Sequence, residues 1–414
     1  MVEVNFERNP EMARYFRGKS DPVAIFDELT LALGIEAEPG RALLFLDEIQ
    51  AAPEVIAKLR WFSEEFSDLP VVAAGSLLEF ALRDFEHSMP VGRIRYAEVE
   101  PMNFREFLRA HEQERLLGHL ESWRPGEAMS LAAHEKAGEW FDRYSMVGGM
   151  PAVVEADRSG AAAVDCRRLQ RDLVQTFRED FSKYSGRMDP QVLNEVLTAV
   201  AGALGRKFVY SRVGDGVRHQ QARRALELLA MARICRIIPH SAANGLPLSA
   251  QTNQRLRKVA FLDVGLAHGL WNTPAGRAFP KPESVAPEIR GAIAEQLAAQ
   301  ELAGSETDSP VDLFHWRREG GRAGEIDFLI EADGRIVPVE VKSGAVGAMK
   351  SLHQFMFDKS LPLAVRLDRN PPSLRHIEVE TTQGQPVAYD LLNLPHWMAG
   401  RTRELVHEAL NRSS

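Results

Sequence analysis

The sequence predicts an α/β multidomain protein, and three stretches support this prediction. The apolar run Leu43–Leu46 is typical of a buried strand and ends in the acidic pair Asp47-Glu48. Two helices with apolar faces and two strands follow each other between residues 192 and 262. Near the C-terminus, two strands flank Asp333-Gly334, a dipeptide typical of β-hairpin turns. We therefore expect an N-terminal α/β core, a helical spacer, a winged helix and a second α/β unit.

Composition limits the classes of protein to which the chain can belong. Its 414 residues are enough for about two to four domains with cores of their own. The two cysteines, Cys166 and Cys235, lie far apart, which favours a reducing cytoplasm over a disulfide framework or a structural zinc site. No targeting signal and no window of roughly 20 apolar residues is present, so we expect no membrane contact. The net charge of −8 means that any nucleic-acid contact requires a local basic face.

The acidic pair after the first apolar strand predicts nucleotide chemistry. In nucleotide-hydrolysing α/β domains such a pair forms the Walker B element. The first carboxylate, here Asp47, holds Mg²⁺ through its water shell, and the second, Glu48, polarises the attacking water. ATP and Mg²⁺ are therefore the expected cofactors. The phosphates also need a glycine-rich loop with a lysine at a helix N-terminus.

The sequence contains no complete loop of that kind. Gly18-Lys19-Ser20 resembles the end of a phosphate-binding loop, but Ala13 stands where the motif requires glycine. The preceding run is polar and helix-like instead of a buried strand, and no second match occurs. We therefore expect no efficient ATP hydrolysis from this chain.

Several short sequence strings are similar to those of one known family and follow each other in the family's order. They are Asp21-Pro22, LLFLDEIQ, AAGSLLEF, PVGRI, EPMNFREFL, residues 147–151 and residues 261–266. Together they resemble the bacterial and archaeal AAA-type ATP-binding proteins that carry a C-terminal DUF4143 domain, and the resemblance covers nearly the whole chain. Members of that family begin with a strand, a Walker A loop and a helix. The chain resembles a member without this first unit, which leaves a partial AAA-like P-loop core at residues 1–110.

The resemblance implies two further nucleotide contacts. Ser76 follows the apolar strand Leu69–Ala74, where AAA-type ATPases place a sensor for the γ-phosphate. The alternative is that Ser76 caps the next helix. Arg93 is a candidate phosphate-sensing arginine, and a surface salt bridge is its alternative role.

The middle of the chain is predicted to contain two units. Residues 111–190 are expected to form an all-helical spacer, and residues 191–270 a winged helix. The expected elements of the winged helix are the helices Val192–Leu204 and Arg218–Met231, and the strands Ile234–Pro239 and Lys258–Leu262 around a wing loop.

Basic residues collect in this winged-helix interval. Arg218, Arg223 and Arg224 lie on the second helix and are the candidate nucleic-acid contacts, because such a helix meets DNA phosphates and bases in related folds. The alternative is a winged helix that binds protein and presents a solvated basic face.

A second chemical site is predicted in residues 285–395, after a proline-rich break. Asp327 lies on one strand of the hairpin, and Glu340 and Lys342 lie on the next. Since side chains alternate along a strand, Glu340 and Lys342 share one face of the sheet. This Asp…Glu-x-Lys pattern resembles the core of PD-(D/E)XK nucleases, which have a restriction-endonuclease-like α/β fold, and Glu295 on the preceding helix matches their accessory carboxylate.

The chemistry of such a site needs these residue types. Asp327, Glu340 and Glu295 offer the oxygen ligands that Mg²⁺ prefers. A bound metal lowers the pKa of a water molecule and stabilises charge on a phosphate, while Lys342 positions the water. The alternative is that these are ordinary charged residues at strand ends.

Three functions follow from these patterns. The first is an AAA-family ATP-binding protein whose winged helix and nuclease-like domain act on or near DNA. The second is a metal-dependent nuclease in which the N-terminal part is a scaffold. The third is a non-enzymatic module that binds DNA or protein. The expected partners are DNA and further copies of the chain.

Overall fold

The computed structural model describes most of the chain in two compact units, residues 1–97 and residues 98–414. The described residues are 1–18, 21–75, 92–181, 188–280, 284–305, 312–318 and 324–412. None of the helices in these ranges combines the length and the apolar character that crossing a membrane requires.

The first unit contains a parallel three-stranded sheet, in the order β1-β2-β3. Its elements are β1 (Val2–Asn5), α1 (Pro22–Leu33), β2 (Leu44–Asp47), α2 (Pro53–Ile56), α3 (Leu59–Glu65) and β3 (Val71–Ala73). The strand between the other two, β2, buries Leu44 and Leu46 completely, as expected for a parallel strand covered by helices. Because the strands are parallel, their C-terminal ends lie at one edge of the sheet.

Helix α1 begins as its sequence predicts. The Asp21 side chain accepts a hydrogen bond from the Val23 backbone N–H at 2.9 Å, and Pro22 occupies the first turn, where it forfeits no hydrogen bond. The helix ends at Gly34, whose φ of 65° is the left-handed conformation that glycine adopts without strain.

The apolar spacing of residues 53–66 predicts one amphipathic helix, and this prediction is wrong. The structure has two shorter helices, α2 and α3, because the backbone tightens between them. The Lys58 N–H donates to the Val55 carbonyl and the Trp61 N–H to the Lys58 carbonyl, both three residues back instead of four. The apolar periodicity persists across this break, so the pattern alone did not reveal it.

The second unit begins with helices and continues into a large mixed sheet. Its helices before the sheet are α4 (Phe104–Ala110), α5 (Glu114–Ser122), α6 (Leu131–Val147), α7 (Pro151–Arg158), α8 (Ala163–Asp180), α9 (Pro190–Gly202) and α10 (His219–Met231). The described part of the predicted spacer, residues 111–190, is helical and contains no strand.

Eight strands form the sheet of the second unit, in the order β10-β11-β9-β8-β7-β6-β4-β5. The remaining elements are β4 (Cys235–Ser241), β5 (Thr252–Phe261), α11 (Val264–Leu270), α12 (Pro287–Ala303), β6 (Phe314–Arg317), β7 (Glu325–Ala332), β8 (Arg335–Val341), α13 (Lys350–Lys359), β9 (Leu363–Asp368), β10 (Ser373–Glu380), β11 (Pro386–Pro395) and α14 (Thr402–Arg412). Strand β4 pairs with β5 in antiparallel fashion and with β6 in parallel fashion. The predicted intervals 191–270 and 285–395 therefore contribute strands to one sheet.

The hairpin between β7 and β8 follows the predicted turn. Asp333 and Gly334 have φ values of 51° and 67°, the positive angles that a tight two-residue hairpin requires. Phe328 pairs with Val339, so the register places Asp327 beside the end of β8 that carries Glu340. The hairpin prediction is confirmed, and it brings the acidic residues of the two strands together.

Candidate active site

The Lys258 side chain lies among three carboxylates in the second unit. Its Nζ atom is 2.8 Å from Glu325 Oε1, 3.0 Å from Glu295 Oε2 and 3.2 Å from Asp327 Oδ1. Only 3% of the Lys258 side chain is exposed to solvent. A buried ammonium group is costly unless it is paired, and here one cation has three partners.

Three elements position this cluster. Strand β5 supplies Lys258, helix α12 supplies Glu295, and β7 supplies Glu325 and Asp327. Glu325 and Asp327 are two positions apart on β7, so alternation puts both side chains on one face. Strands β5 and β7 are not hydrogen-bonded neighbours in the sheet, but these side-chain ion pairs connect them.

The titration of the cluster reflects burial and neighbouring charge. Burial, and the negative charge of Asp327, raise the pKa of Glu295 to about 8, although Lys258 opposes this. For Lys258, burial alone would lower the pKa, but Asp327, Glu295 and Glu325 together raise it well above its ordinary value. Lys258 is therefore a permanent cation in this site. Burial and this nearby cation lower the pKa of His315 to about 3.

The predicted pair Glu340 and Lys342 lies next to this cluster. Lys342 Nζ donates to Glu340 Oε1, and Asp327 Oδ2 accepts from the Val341 backbone N–H at 2.9 Å. Burial and the Asp327 charge raise the pKa of Glu340 to about 7, while Lys342 opposes them. The Oε2 atom of Glu340 is buried and has no hydrogen-bond partner.

The structure thus brings together the predicted residues of the C-terminal site. Asp327 is the link, because it pairs with Lys258 beside Glu295 and also raises the pKa of Glu340. Four carboxylates share this region with two ammonium groups, which leaves an excess of negative charge when all are ionised. In the part of the chain that the structure describes, no group of three His, Cys, Asp or Glu side chains is arranged to hold a metal ion.

The predicted nucleotide site in the first unit lies at the C-terminal edge of the parallel sheet. Asp47 ends β2, and its Oδ2 atom accepts a hydrogen bond from Asn5 Nδ2 at 2.7 Å. Glu48 follows with φ 52°, an unusual conformation for a residue other than glycine, and its carboxylate accepts from Gln50 Nε2. Polar groups at this edge are typical of ligand sites in parallel sheets.

The other two predicted nucleotide contacts are Ser76 and Arg93. Ser76 lies outside the described residues. Arg93 is near the surface, where its Nε atom is 3.0 Å from Glu64 Oε1, so the structure places it in a salt bridge. Arg60 also contacts this carboxylate. The two arginines lower the pKa of Glu64, and Arg60 has the larger effect.

The candidate nucleic-acid contacts lie at the start and on the exposed face of α10. Arg218, Arg223 and Arg224 are all exposed. Arg223 pairs with Glu227 at 2.9 Å, one turn along the helix. Among the described residues, no carboxylate pairs with Arg224.

Sequence reasoning missed three residues of these sites. Lys258 was assigned to a strand but not to the site, Glu325 was not considered as a site residue, and Asn5 was not considered as a partner of Asp47. One signal existed for Lys258: it is a charged residue at the start of the apolar run 259–262, and a buried lysine requires acidic partners.

Models of three protein families match the chain. An AAA domain matches residues 1–108, a domain of unknown function (DUF8612) matches residues 138–276, and another domain of unknown function (DUF4143) matches residues 290–370. The order of an AAA domain and DUF4143 is the one that the sequence resembles, so this prediction is confirmed. No curated protein and no solved structure matches the chain.

Proposed function

Because the chain combines an AAA-family, ATPase-like domain with DUF4143, we propose that it is an ATP-binding protein whose C-terminal site is a metal-dependent nuclease acting on DNA. One observation carries this proposal. Asp327, Glu340 and Lys342 converge at the end of the β7–β8 hairpin, beside Glu295 of α12.

The carboxylates of this site fit a divalent cation. Mg²⁺ is commonly bound by one or two protein carboxylates and retains several waters, so Asp327 and Glu340 would suffice to hold it, with Glu295 as the accessory carboxylate. The buried, unpartnered Oε2 atom of Glu340 supports this fit, and a bound cation would favour the ionised form of this carboxyl group. When bound, the ion would lower the pKa of a water molecule and offset charge on the scissile phosphate.

The chain's own residues have separate roles in this proposal. Lys342, which pairs with Glu340, would orient the attacking water and neutralise charge that develops on the phosphate. The Val341 N–H fixes the orientation of Asp327 by donating to its Oδ2 atom. Lys258 is a positioning residue, because it holds Asp327 and Glu295 together without facing the solvent.

The first unit would contribute nucleotide binding. Asp47 would hold Mg²⁺ and Glu48 would polarise water, with Ser76 as a phosphate contact. Arg93 would contact a phosphate only after leaving its salt bridge with Glu64. The Asn5–Asp47 hydrogen bond supports a fixed orientation of the first carboxylate. Efficient hydrolysis still needs a phosphate-binding loop, which the sequence does not contain.

Plasmid cleavage tests the proposal. Supercoiled DNA incubated with the full chain and Mg²⁺ or Mn²⁺ should be nicked, and Asp327→Ala and Lys342→Ala should each reduce the rate at least tenfold. Lys350→Ala is a matched control, because Lys350 is an exposed lysine at the start of α13. Cleavage that both site variants leave unchanged would assign the activity to another site.

The exposed arginines of α10 favour a second candidate function, DNA binding without cleavage. Arg224 and Arg218 can contact phosphates, because neither is paired with a carboxylate of the described residues. Binding of a labelled duplex should weaken steeply as salt rises. The double variant Arg218→Ala and Arg224→Ala should weaken binding to all sequences, whereas Arg168→Ala, an exposed arginine on α8, should not.

A further inference from the structure

A cavity of about 130 Å³ lies in the second unit, and its lining includes Ala294 and Ser343, the chain neighbours of Glu295 and Lys342. Helices α6 and α12 form its apolar wall through Phe141, Ile293, Ala294 and Leu297. Its polar side comes from Arg290 at the start of α12, from the loops that follow β8 and β9, and from the start of the turn after β11.

The polar side of this cavity is cationic. Arg290 and Arg369 both line it, and none of the described residues in the lining carries a carboxylate. The Nε atom of Arg290 is buried and has no hydrogen-bond partner, whereas Arg369 pairs with Asp142 outside the lining. A buried guanidinium N–H without an acceptor in the protein is an unsatisfied donor. Such a donor favours an anionic ligand, because the ligand can accept a charge-assisted hydrogen bond from it.

His396 adds an acceptor to the same wall. Its Nε2 atom donates to the Lys342 carbonyl at 2.9 Å, so Nδ1 of the neutral ring is an acceptor. This Nδ1 atom is buried and has no hydrogen-bond partner, and only 6% of the residue is exposed. The ring stacks on Phe141 with an interplanar angle of 9°, which fixes its position.

We propose that this cavity binds a small organic anion with a compact apolar body. Its anionic group would accept hydrogen bonds from Arg290 and Arg369, and its body would pack against Phe141, Ile293 and Leu297. An engineered apolar cavity of about 150 Å³ binds benzene, so a ligand of the size of benzoate is the expected class. A hydroxyl group on the ligand would complete the hydrogen bonding of His396 Nδ1.

Calorimetry with the full chain tests the proposal with defined probes: benzoate, benzyl alcohol, benzylamine and inorganic phosphate. Benzoate should bind at least tenfold more tightly than each of the other three, because it alone has both an anionic group and an apolar body. Equal binding of benzyl alcohol would overturn the requirement for charge, and equal binding of phosphate would overturn the requirement for an apolar body. Absence of benzoate binding would overturn the proposal as a whole.

Two variants localise the binding. Arg290→Gln should weaken benzoate binding at least tenfold, while Arg115→Gln, which changes an exposed arginine on α5, should leave it unchanged. Ala294→Phe fills the cavity and should abolish binding, with circular dichroism to verify folding. Wild-type affinity in a folded Arg290→Gln variant would overturn the proposal, whatever happens to Ala294→Phe. The calorimetry is done without DNA and without metal, so the benzoate-binding result does not depend on nuclease activity.

Discussion

Lys258 Nζ lies 3.2 Å from Asp327 Oδ1, although the two residues are 69 positions apart in the chain. The other carboxylate oxygen of Asp327 accepts the Val341 N–H. Asp327 therefore connects strand β5 to both strands of the β7–β8 hairpin, and the candidate active site depends on a lysine from outside residues 285–395.

Replacement of this lysine by an apolar side chain should destabilise the second unit. Lys258→Met leaves Glu295, Glu325 and Asp327 without their shared cation, and breaking a buried ion pair costs about 3–5 kcal/mol. Urea denaturation at pH 7.5 measures this loss. Lys350→Met, on an exposed site, should change the free energy of unfolding by less than about 0.5 kcal/mol. Equal stability of the two variants would contradict the role of Lys258.

Divalent cations should partly restore the stability of Lys258→Met. Without the ammonium group, the carboxylates of Glu295, Glu325 and Asp327 attract another cation of suitable size. We expect MnCl₂ to raise the melting temperature of this variant more than that of the native protein, at constant ionic strength. The double variant Lys258→Met with Asp327→Asn lacks the charge of Asp327, so manganese should raise its melting temperature less. A manganese response that is identical in all three proteins would argue against binding at this cluster.

The local features of the fold were predictable from sequence, and the long-range ones were not. Asp21-Pro22 at a helix start and Asp333-Gly334 in a hairpin turn act through their own backbone and side-chain chemistry, so the sequence itself predicts both features. The pairing of β4 with β6 depends on a single register pair, His240 with His315, which no periodicity indicates.

The candidate site divides in the same way. The spacing of Glu340 and Lys342 fixes their common face of one strand, so their contact was predictable. The position of Lys258 depends on how β5 packs against α12 and β7, and strand periodicity contains no information about that packing. Its burial beside acidic residues therefore emerged only from the structure.

Glu301 makes stability depend on pH through burial. Its Oε1 atom accepts from the Phe104 N–H at 2.9 Å and from the Tyr144 hydroxyl at 3.0 Å, and burial raises its pKa to about 7. An acid with a raised pKa contributes stability that is complete below its unfolded pKa of about 4.5 and is lost as the pH rises through 7. Glu301→Gln keeps an acceptor and removes the charge.

We therefore expect Glu301→Gln to gain stability relative to the native protein between pH 5 and pH 8, by about 2 kcal/mol. Urea denaturation at several pH values measures the difference. Glu139→Gln, on the exposed face of α6, should show no such trend. A constant difference between Glu301→Gln and the native protein at all pH values would show that Glu301 does not titrate in this range.

Gly149 connects two strings on which the family resemblance depends. Its backbone N–H donates to Asp263 Oδ2 at 2.6 Å, which joins the turn after α6 to the cap of α11. A Cβ atom at Gly149 would lie 2.1 Å from the Met102 carbonyl oxygen, a backbone atom that cannot rotate away. Gly149→Ala should therefore cost about 1–3 kcal/mol of stability.

Gly138→Ala is the matched control, because a Cβ atom there meets nothing within 4 Å. Helix α6 should gain up to about 1 kcal/mol of stability from this substitution, since alanine is a better helix former than glycine. Thermal unfolding of both variants checks the prediction, and a Gly149→Ala protein as stable as the native one would refute the close approach to Met102.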